Sequence, residues 1–179
     1  MTTPADDLAS RVGARLRDIP DFPKPGILFK DITPVLTDPV LYGEIVDWMA
    51  QGWGRIDRLV AMESRGFLFA AAMVRPMGAG MALARKKGKL PFATESVDYA
   101  LEYGHATLEM HVDAIRAGQR VLIVDDLLAT GGTARAACDL VTRCGGVVVA
   151  AGFLVELTFL NGRDRLTDQR VYSVLAYED

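Results

Sequence analysis

The sequence predicts an α/β fold with a mostly parallel central sheet flanked by helices. Short apolar segments typical of buried strands alternate with amphipathic helical segments along the chain, an order that produces parallel sheets. Some of the apolar segments run into a short loop with glycine or hydroxyl residues that opens a helix. The chain has 179 residues and half of them are hydrophobic, which is enough for a sizeable core. We therefore expect a single domain over residues 1–179.

The composition limits the kinds of molecule that we expect the protein to bind. The net charge is −3, which gives no reason to expect nucleic acid. The sequence has no apolar run of membrane-spanning length and no signal-peptide pattern, so we expect no membrane partner. Cys138 and Cys144 lie about 9 Å apart along one predicted helix, too far for a disulfide between them. Free thiols favour a reducing, cytoplasmic location.

The N-terminal part predicts two helices around an irregular segment. The first helix begins near Pro4, and its apolar face is formed by Leu8, Val12, Leu16 and Ile19. The second begins at Asp38-Pro39, and its buried stripe is formed by Leu41, Ile45, Trp48 and Met49. Residues 21–26 contain two prolines and a glycine, which break regular structure, and residues 27–32 read as a short strand. From the residues alone, this segment is a surface arm.

Residues 58–62 form the next predicted strand, and the loop at 63–66 leads from it into a helix. Ser64 and Gly66 lie at the turn, and Arg65 is free to point at an anion. Ligands of open α/β sheets collect at the carboxyl ends of strands, which makes this loop a candidate anion site. A surface salt bridge is the alternative role for Arg65 when the residues are considered alone.

A basic run follows the strand predicted at residues 81–84. Residues 85–89 hold four cations, which on their own favour a solvated loop. Their position at a strand end also allows them to meet phosphate charge. Residues 96–104 and 106–112 alternate in polarity, so we expect a β-hairpin arm that is mobile rather than part of the core.

The most informative stretch is the strand at 121–125 and the loop after it. The loop contains two hydroxyl residues and two glycines and opens a helix, an arrangement that cradles phosphate with backbone N–H groups. Asp125 and Asp126 end the strand, and ionised carboxylates accept hydrogen bonds from vicinal hydroxyls. The stretch therefore predicts a ribose 5-phosphate site, with Thr130 and Thr133 as added donors. An ordinary strand–turn–helix with a capping threonine is the alternative.

The C-terminal part predicts two more strands. Residues 147–155 are the longest apolar stretch, and Gly152 within it suits a buried strand. A short helix at 163–166 and a strand at 171–175 complete the sheet. No candidate site residue falls in these elements.

Residues 121–134 resemble the PRPP-binding motif of the type I phosphoribosyltransferases, in the form typical of adenine phosphoribosyltransferases. Three further stretches resemble that family in the same order along the chain. They are residues 22–32, residues 63–67 and residues 85–104. The resemblance implies the type I phosphoribosyltransferase fold and the conversion of adenine and PRPP to AMP and pyrophosphate. It also implies Mg²⁺, held mainly through PRPP and pyrophosphate with no metal-ligating residue, and a homodimer.

The resemblance also implies the roles of individual residues. It assigns the phosphate and ribose of PRPP and AMP to Asp125, Asp126, Ala129, Thr130, Gly131, Gly132 and Thr133. It assigns pyrophosphate and lid contacts to Glu63, Ser64, Arg65, Arg85, Lys86, Lys89 and Tyr103. A hood at about 20–36 brings three residues to adenine, namely Leu28, Phe29 and Lys30.

The catalytic residues implied by the resemblance are Glu102 and Arg65. Glu102 belongs to a flexible lid at about 85–108, and it is the candidate acid/base at the purine ring if the closed lid raises its pKa. Arg65 neutralises the leaving pyrophosphate. Lys30 stands where many members of the family carry arginine.

Three other functions stay open at the level of sequence. A transferase for guanine, xanthine or orotate is disfavoured by the hood motif and by the absence of an obvious side chain to read a 6-oxo group. A regulator that senses PRPP or purine is disfavoured because the chain carries neither an added DNA-binding domain nor a basic face. A structural or interaction module is disfavoured by the four ordered motifs.

Overall fold

The computed structural model describes residues 4–100 and 105–178. The helices are α1 (Pro4–Arg15), α2 (Thr33–Leu36), α3 (Pro39–Ala50), α4 (Gly66–Met77) and α5 (Gly132–Arg143). The strands are β1 (Arg17–Pro20), β2 (Leu28–Asp31), β3 (Arg58–Met62), β4 (Gly80–Lys86), β5 (Thr94–Ala100), β6 (His105–His111), β7 (Arg120–Leu128), β8 (Val147–Leu157) and β9 (Val171–Tyr177). Two short 3₁₀ helices follow β8, at Thr158–Leu160 and Gly162–Arg165.

The described residues form a seven-stranded sheet in the order β5-β6-β4-β3-β7-β8-β9, and β1 and β2 form a separate antiparallel pair. Five of these strands are mutually parallel, namely β4, β3, β7, β8 and β9. Strand β6 is antiparallel to β4, and β5 is antiparallel to β6. Parallel strands place their carboxyl ends on one edge of the sheet. The predicted α/β class with a mostly parallel sheet is confirmed.

Two hydrophobic cores lie on the two faces of the sheet. Alternate residues of β7 supply them, since Val121 and Ile123 face the core under α5, whereas Leu122 and Val124 face the core under α1, α3 and α4. All four side chains are fully buried. Because both faces of β7 are covered, residues 121–124 of the strand are continuously apolar rather than alternating.

The packing of α4 on β7 depends on a residue without a side chain. A Cβ atom on Gly66 would lie 2.7 Å from the carbonyl oxygen of Val124 and 2.8 Å from Oδ1 of Asp125. Glycine at this position therefore lets the first turn of α4 reach the carboxyl end of β7. This contact brings the loop after β3 next to the carboxylates of β7.

Two predicted boundaries and one predicted placement were wrong. The helix α1 ends at Arg15, and Ile19 lies on β1 instead of on the helix. The strand β7 does not end at its two carboxylates but continues through them to Leu128, paired with β8. The hairpin of β5 and β6 is confirmed, but it is not a detached arm, because Leu108 and Met110 of β6 are buried against the core under α5.

None of the helices in the described part of the chain has the length and apolar character needed to span a bilayer. Within the same residues, Cys138 is a buried free thiol and Cys144 a half-buried one, as predicted. Burial raises the pKa of Cys138 to about 12, so this thiol stays protonated and unreactive at neutral pH.

We expect Gly66→Ala to destabilise the fold, because the added methyl group overlaps the backbone of β7. The expected loss in free energy of unfolding is about 1–3 kcal/mol, the usual cost of overpacking. The matched control is Gly43→Ala on α3, where a Cβ meets no atom within 4 Å. That control should be neutral or stabilising by about 0.5–1 kcal/mol, because alanine favours helix. The free energies of unfolding of both variants are measured by urea denaturation. Equal values for the two variants would contradict the packing argument.

Candidate active site

The candidate site lies at the carboxyl edge of the parallel strands. Loops that follow β3, β7 and β8 meet there, and the basic run at the end of β4 lies beside them. The hood formed by β1 and β2 lies at the same edge, because its residues line one cavity together with the loops after β7 and β8. The fold therefore brings together motifs that are far apart in the sequence.

Asp125 and Asp126 point into a cavity of about 550 Å³ that is also lined by Glu63, Ser64, Arg65, Lys86, Tyr99, Ala106, Leu108, Leu127 and Thr133. We call it the carboxylate cavity. The Nε of Arg65 lies 2.7 Å from Oδ2 of Asp126. Within the described residues, that buried oxygen makes no well-aligned hydrogen bond. The cavity thus holds an acceptor oxygen that a ligand donor can satisfy.

The two aspartates have unusual acid strengths. Burial raises the pKa of Asp125 well above its ordinary value, and the charge of Asp126 raises it further. Burial also raises the pKa of Asp126, although the guanidinium of Arg65 opposes this effect. The side chain of Asp125 accepts a hydrogen bond of 2.9 Å from the amide of Asp126. Adjacent carboxylates with raised pKa values are typical of functional sites rather than of structural ones.

The loop Ala129–Gly132 connects β7 to α5 and lines a narrow cleft of about 90 Å³. Gly131 has φ of 79°, a left-handed conformation that favours glycine. The loop opens directly into α5, so the free amides of the first helical turn point toward the cleft. Thr130 and Thr133 border the cleft, as the sequence predicted. This is a geometry that binds a phosphate group.

The basic run at the end of β4 is held by two carboxylates. The guanidinium of Arg85 donates two hydrogen bonds to Glu63, at 3.2 and 3.3 Å, and a third to the carbonyl oxygen of Lys89. Glu63 also accepts the amide of Lys86, and buried Glu109 accepts the amide of Gly88. Burial raises the pKa of Glu63, but Arg85 and the Lys86 amide outweigh it, and the net pKa is lowered.

The three cationic residues that were predicted to contact pyrophosphate therefore differ in their surroundings. Lys86 lines the carboxylate cavity, whereas Arg85 is engaged by Glu63 and by the backbone of its own loop. Lys89 is exposed and contributes its carbonyl oxygen to that loop. The pyrophosphate contacts of Arg85 and Lys89 stay predictions.

A second large cavity, of about 430 Å³, lies under the hood. Leu28, Phe29 and Lys30 line it from the hood, and Lys24, Ile27, Leu127, Ala129, Thr130, Leu157 and Leu160 complete its wall. We call it the hood cavity. Its wall is mainly apolar, and the ring of Phe29 packs edge-on against Phe22 at 5.1 Å between centroids. A flat apolar ligand fits such a cavity.

Leu157, Leu160 and Leu127 are wall residues that the sequence analysis missed. Apolar residues in an apolar run give no signal of their own, and only the sheet topology shows that the end of β8 faces the hood. The irregular stretch Thr158–Gly162 at that strand end was the one available sign of a site.

Lys30 is buried, and its amine is engaged within the protein. Nζ donates a hydrogen bond of 2.7 Å to Asp18 and lies 3.6 Å from the centroid of the Tyr177 ring. Burial lowers the pKa of Lys30, but the contacts with Asp18 and Tyr177 outweigh it, and the net pKa is raised. The amine thus joins the hood to β9, while the rest of Lys30 lines the hood cavity.

The three cavities are contiguous along one stretch of chain. The carboxylate cavity and the cleft share Asp125 and Thr133, the cleft and the hood cavity share Ala129 and Thr130, and Leu127 borders all three. One extended ligand can therefore contact an anion site, a hydroxyl site and an apolar site at once. The shared lining residues indicate that the three cavities belong to one binding site.

The sequence matches the family model described as the phosphoribosyl transferase domain over residues 42–175. An adenine phosphoribosyltransferase of an Anaeromyxobacter species is 55% identical over 168 residues, which are 93% of this chain and 95% of that relative. The chain belongs to the adenine phosphoribosyltransferase family.

Solved structures of the family agree with this fold. The adenine phosphoribosyltransferase of Thermoanaerobacter pseudethanolicus is 48% identical, with a TM-score of 0.91 and coverage of 94% of this chain and 99% of that chain. The enzyme of Saccharomyces cerevisiae is 36% identical, with a TM-score of 0.86 and coverage of 94% and 98%. That structure contains adenine and an imino-altritol bisphosphate.

Two adenine phosphoribosyltransferase motif residues, Glu102 and Tyr103, lie outside the described residues. Their roles stay predictions. The neighbouring Tyr99 and Ala106, on the two strands of the hairpin, line the carboxylate cavity. The described parts of β5 and β6 therefore lead toward the site.

The donor set of the carboxylate cavity suits a hard cation. Its oxygen-bearing side chains include Glu63, Asp125 and Asp126, and Mg²⁺ prefers oxygen ligands and retains part of its water shell. Within residues 4–100 and 105–178, no three His, Cys, Asp or Glu side chains are arranged to enclose a metal ion. The oxygen atoms of this lining are of the kind that Mg²⁺ prefers, so the chemistry of the donor set fits that ion.

We expect Asp125→Asn to stabilise the protein at about pH 7.5, because the pKa of Asp125 is raised well above its ordinary value in the folded state. The amide keeps an acceptor for the Asp126 N–H but removes a buried charge beside another. Because the folded-state pKa of Asp125 is raised, ionisation weakens the fold at high pH, and this penalty fades as pH falls toward the ordinary aspartate value.

The measurement is the free energy of unfolding of both proteins between about pH 7.5 and pH 4. The stability gap should close as the pH falls. A gap that is constant over this range would contradict the raised pKa.

Proposed function

We infer that the protein transfers the 5-phosphoribosyl group of PRPP to adenine and releases AMP and pyrophosphate, a reaction of purine salvage. The observation that carries this conclusion is the continuity of the three cavities along residues 125–133. We assign pyrophosphate to the carboxylate cavity, the 5-phosphate of the ribose to the cleft, and the base to the hood cavity. The ribose lies between them, with its C1 facing both the pyrophosphate and the base.

The ribose 5-phosphate is bound by the motif at the end of β7. Its phosphate takes the cleft formed by the Ala129–Gly132 loop and the first turn of α5, with Thr130 and Thr133 as hydroxyl donors. Its two ring hydroxyls donate to Asp125 and Asp126, the two carboxylates whose pKa values are raised by burial. Hydroxyl donors offset the charge repulsion between the two carboxylates.

Pyrophosphate departs from C1 of the ribose into the carboxylate cavity. Arg65 and Lys86 line that cavity and stabilise the negative charge of the leaving group, with Ser64 and the amides of its loop as neutral donors. Arg65 must exchange its contact with Asp126 for a pyrophosphate oxygen, so Asp126 gains a ribose hydroxyl in its place. When bound, Mg²⁺ supplies further positive charge, with Asp125 and Asp126 as the groups that would contact its water shell.

Adenine binds in the hood cavity, between Phe29 on the hood and the leucines at the end of β8. The flat apolar walls suit a purine ring, and the backbone near Leu28 reads its polar edge. N9 of adenine attacks C1 as the C1–O bond to pyrophosphate breaks, and Glu102 takes up, at N7, the proton that the purine must lose. The family resemblance assigns Tyr103 to the lid. Lid closure excludes water, which would otherwise hydrolyse the activated sugar.

The remaining parts of the proposal concern assembly and location. A homodimer is supported by exposed apolar side chains on two adjoining helices, Val40 at 65% on α3 and Leu68 at 44% on α4. A cytoplasmic location is supported by the free thiols of Cys138 and Cys144. Light scattering of the purified protein measures its mass; a monomer at working concentration contradicts the homodimer.

The purified protein should form AMP from PRPP, Mg²⁺ and adenine, and should form no nucleotide from hypoxanthine or guanine. We expect Glu102→Gln to lower kcat about 100-fold or more, the usual worth of a general acid/base. We expect Asp126→Asn to raise KM for PRPP about tenfold, because one charge-assisted hydrogen bond to the ribose is lost. Initial rates with each base measure these effects.

The matched control is Glu95→Gln, an exposed carboxylate on β5 of the same hairpin, which should leave both constants unchanged. Turnover with an oxopurine would overturn the base assignment and retain the PRPP site. Binding of PRPP in calorimetry without turnover of any base would replace the enzyme with a PRPP-sensing regulator.

A further inference from the structure

The segment between β8 and β9 lies between the hood cavity and the phosphate loop. Its first part lines the hood cavity through Leu157 and Leu160. Two residues later the chain reaches Gly162, which is buried. Gly162 begins the second 3₁₀ helix and packs against the loop that follows β7.

The contact between Gly162 and that loop is made by backbone on both sides. A Cβ atom on Gly162 would clash with the carbonyl oxygen of Ala129 and would lie 3.1 Å from Leu128. A Cβ atom on Gly131 would clash with the carbonyl oxygen of Gly162 and lie 3.1 Å from its carbonyl carbon. Neither position tolerates a side chain, and the conformation of Gly131 itself, at φ of 79°, favours glycine.

The residue after Gly162 is fixed to the sheet. Arg163 donates two hydrogen bonds of 2.6 Å to the carboxylate of Glu156 on β8 and a third to the carbonyl oxygen of Val171. Glu156 is buried and also accepts the hydroxyl of Ser173. Burial raises the pKa of Glu156, but Arg163 and Ser173 outweigh it, so the net pKa is lowered and the pair stays charged.

We propose that Gly162 is a positioning residue for the phosphate site. The backbone of Gly162 packs against the Ala129–Gly132 loop, and the ion pair of Arg163 with Glu156 fixes the position of Gly162 relative to β8. A shift of the loop by a fraction of an ångström misaligns the amides that face the cleft, while the hood cavity keeps its walls. The proposal rests on the proposed function, because it assigns the cleft to the 5-phosphate.

The test compares two ligands that differ only in the phosphate. The dissociation constants of AMP and adenosine are measured by calorimetry, and the ratio of the adenosine constant to the AMP constant reports the contribution of the phosphate site. We expect Gly162→Ala to reduce this ratio about 10- to 100-fold, through weaker AMP binding, with adenosine affected less than about twofold. The matched control is Gly43→Ala, at an open position on α3, which should leave the ratio unchanged.

A second variant keeps the test decisive if Gly162→Ala does not fold. Arg163→Met leaves both glycines in place and removes the guanidinium hydrogen bonds to Glu156 and to the carbonyl oxygen of Val171, so we expect the ratio to fall about 3- to 10-fold. A folded variant of either kind with an unchanged ratio overturns the proposal, and so does an equal loss for both ligands. Because the readout is binding, an absence of AMP synthesis by the unmodified protein would refute the proposed function without deciding the role of Gly162.

Discussion

The structure depends on one constraint, which is that two adjacent carboxylates must lie at the buried carboxyl end of the central strand. Burial raises the pKa of both Asp125 and Asp126 there, and the charge of Asp126 raises the pKa of Asp125 further. The fold tolerates this cost because Gly66 lets α4 bring Arg65 to within ion-pair distance of Asp126. Within the described residues, Oδ2 of Asp126 makes no well-aligned hydrogen bond, and we propose a ribose hydroxyl as its donor.

Ion pairs between different elements organise the rest of the carboxyl edge. Arg85 pairs with Glu63 between β4 and the loop after β3, Arg163 pairs with Glu156 beside the phosphate loop, and Lys30 pairs with Asp18 within the hood. Each pair fixes a loop and cancels the charge of its cation. Within the described residues, the ammonium group of Lys86 has no carboxylate within ion-pair distance, and Lys86 lines the carboxylate cavity, where we propose that it contacts pyrophosphate.

The sequence predicted those parts of the site that lie within one contiguous motif. The strand, loop and helix around residues 121–134, and the loop of Arg65, were found because buried apolar runs and glycine loops are local signals. Contacts that join distant segments could not be found in this way. Neither the pairing of Arg85 with Glu63 nor the contact of Lys30 with Tyr177 has a local signature.

The boundary errors have a similar origin. Ile19 continues the apolar spacing of α1, so the helical pattern extends past the true end of the helix, and the pairing of β1 with β2 overrides it. The strand β7 was predicted to stop at Asp125 because carboxylates are rare inside strands, yet β8 pairs with it as far as Leu128. Tertiary contacts decided both boundaries.

The most direct test of the account is whether the two carboxylates bind the ribose hydroxyls. Calorimetry would compare AMP with 2′,3′-dideoxy-AMP, using the unmodified protein and Asp126→Asn. The account predicts that loss of the hydroxyls weakens binding to the unmodified protein about tenfold or more, and that the difference largely disappears in the variant. An equal difference in both proteins would show that the hydroxyls are bound elsewhere and would contradict the account.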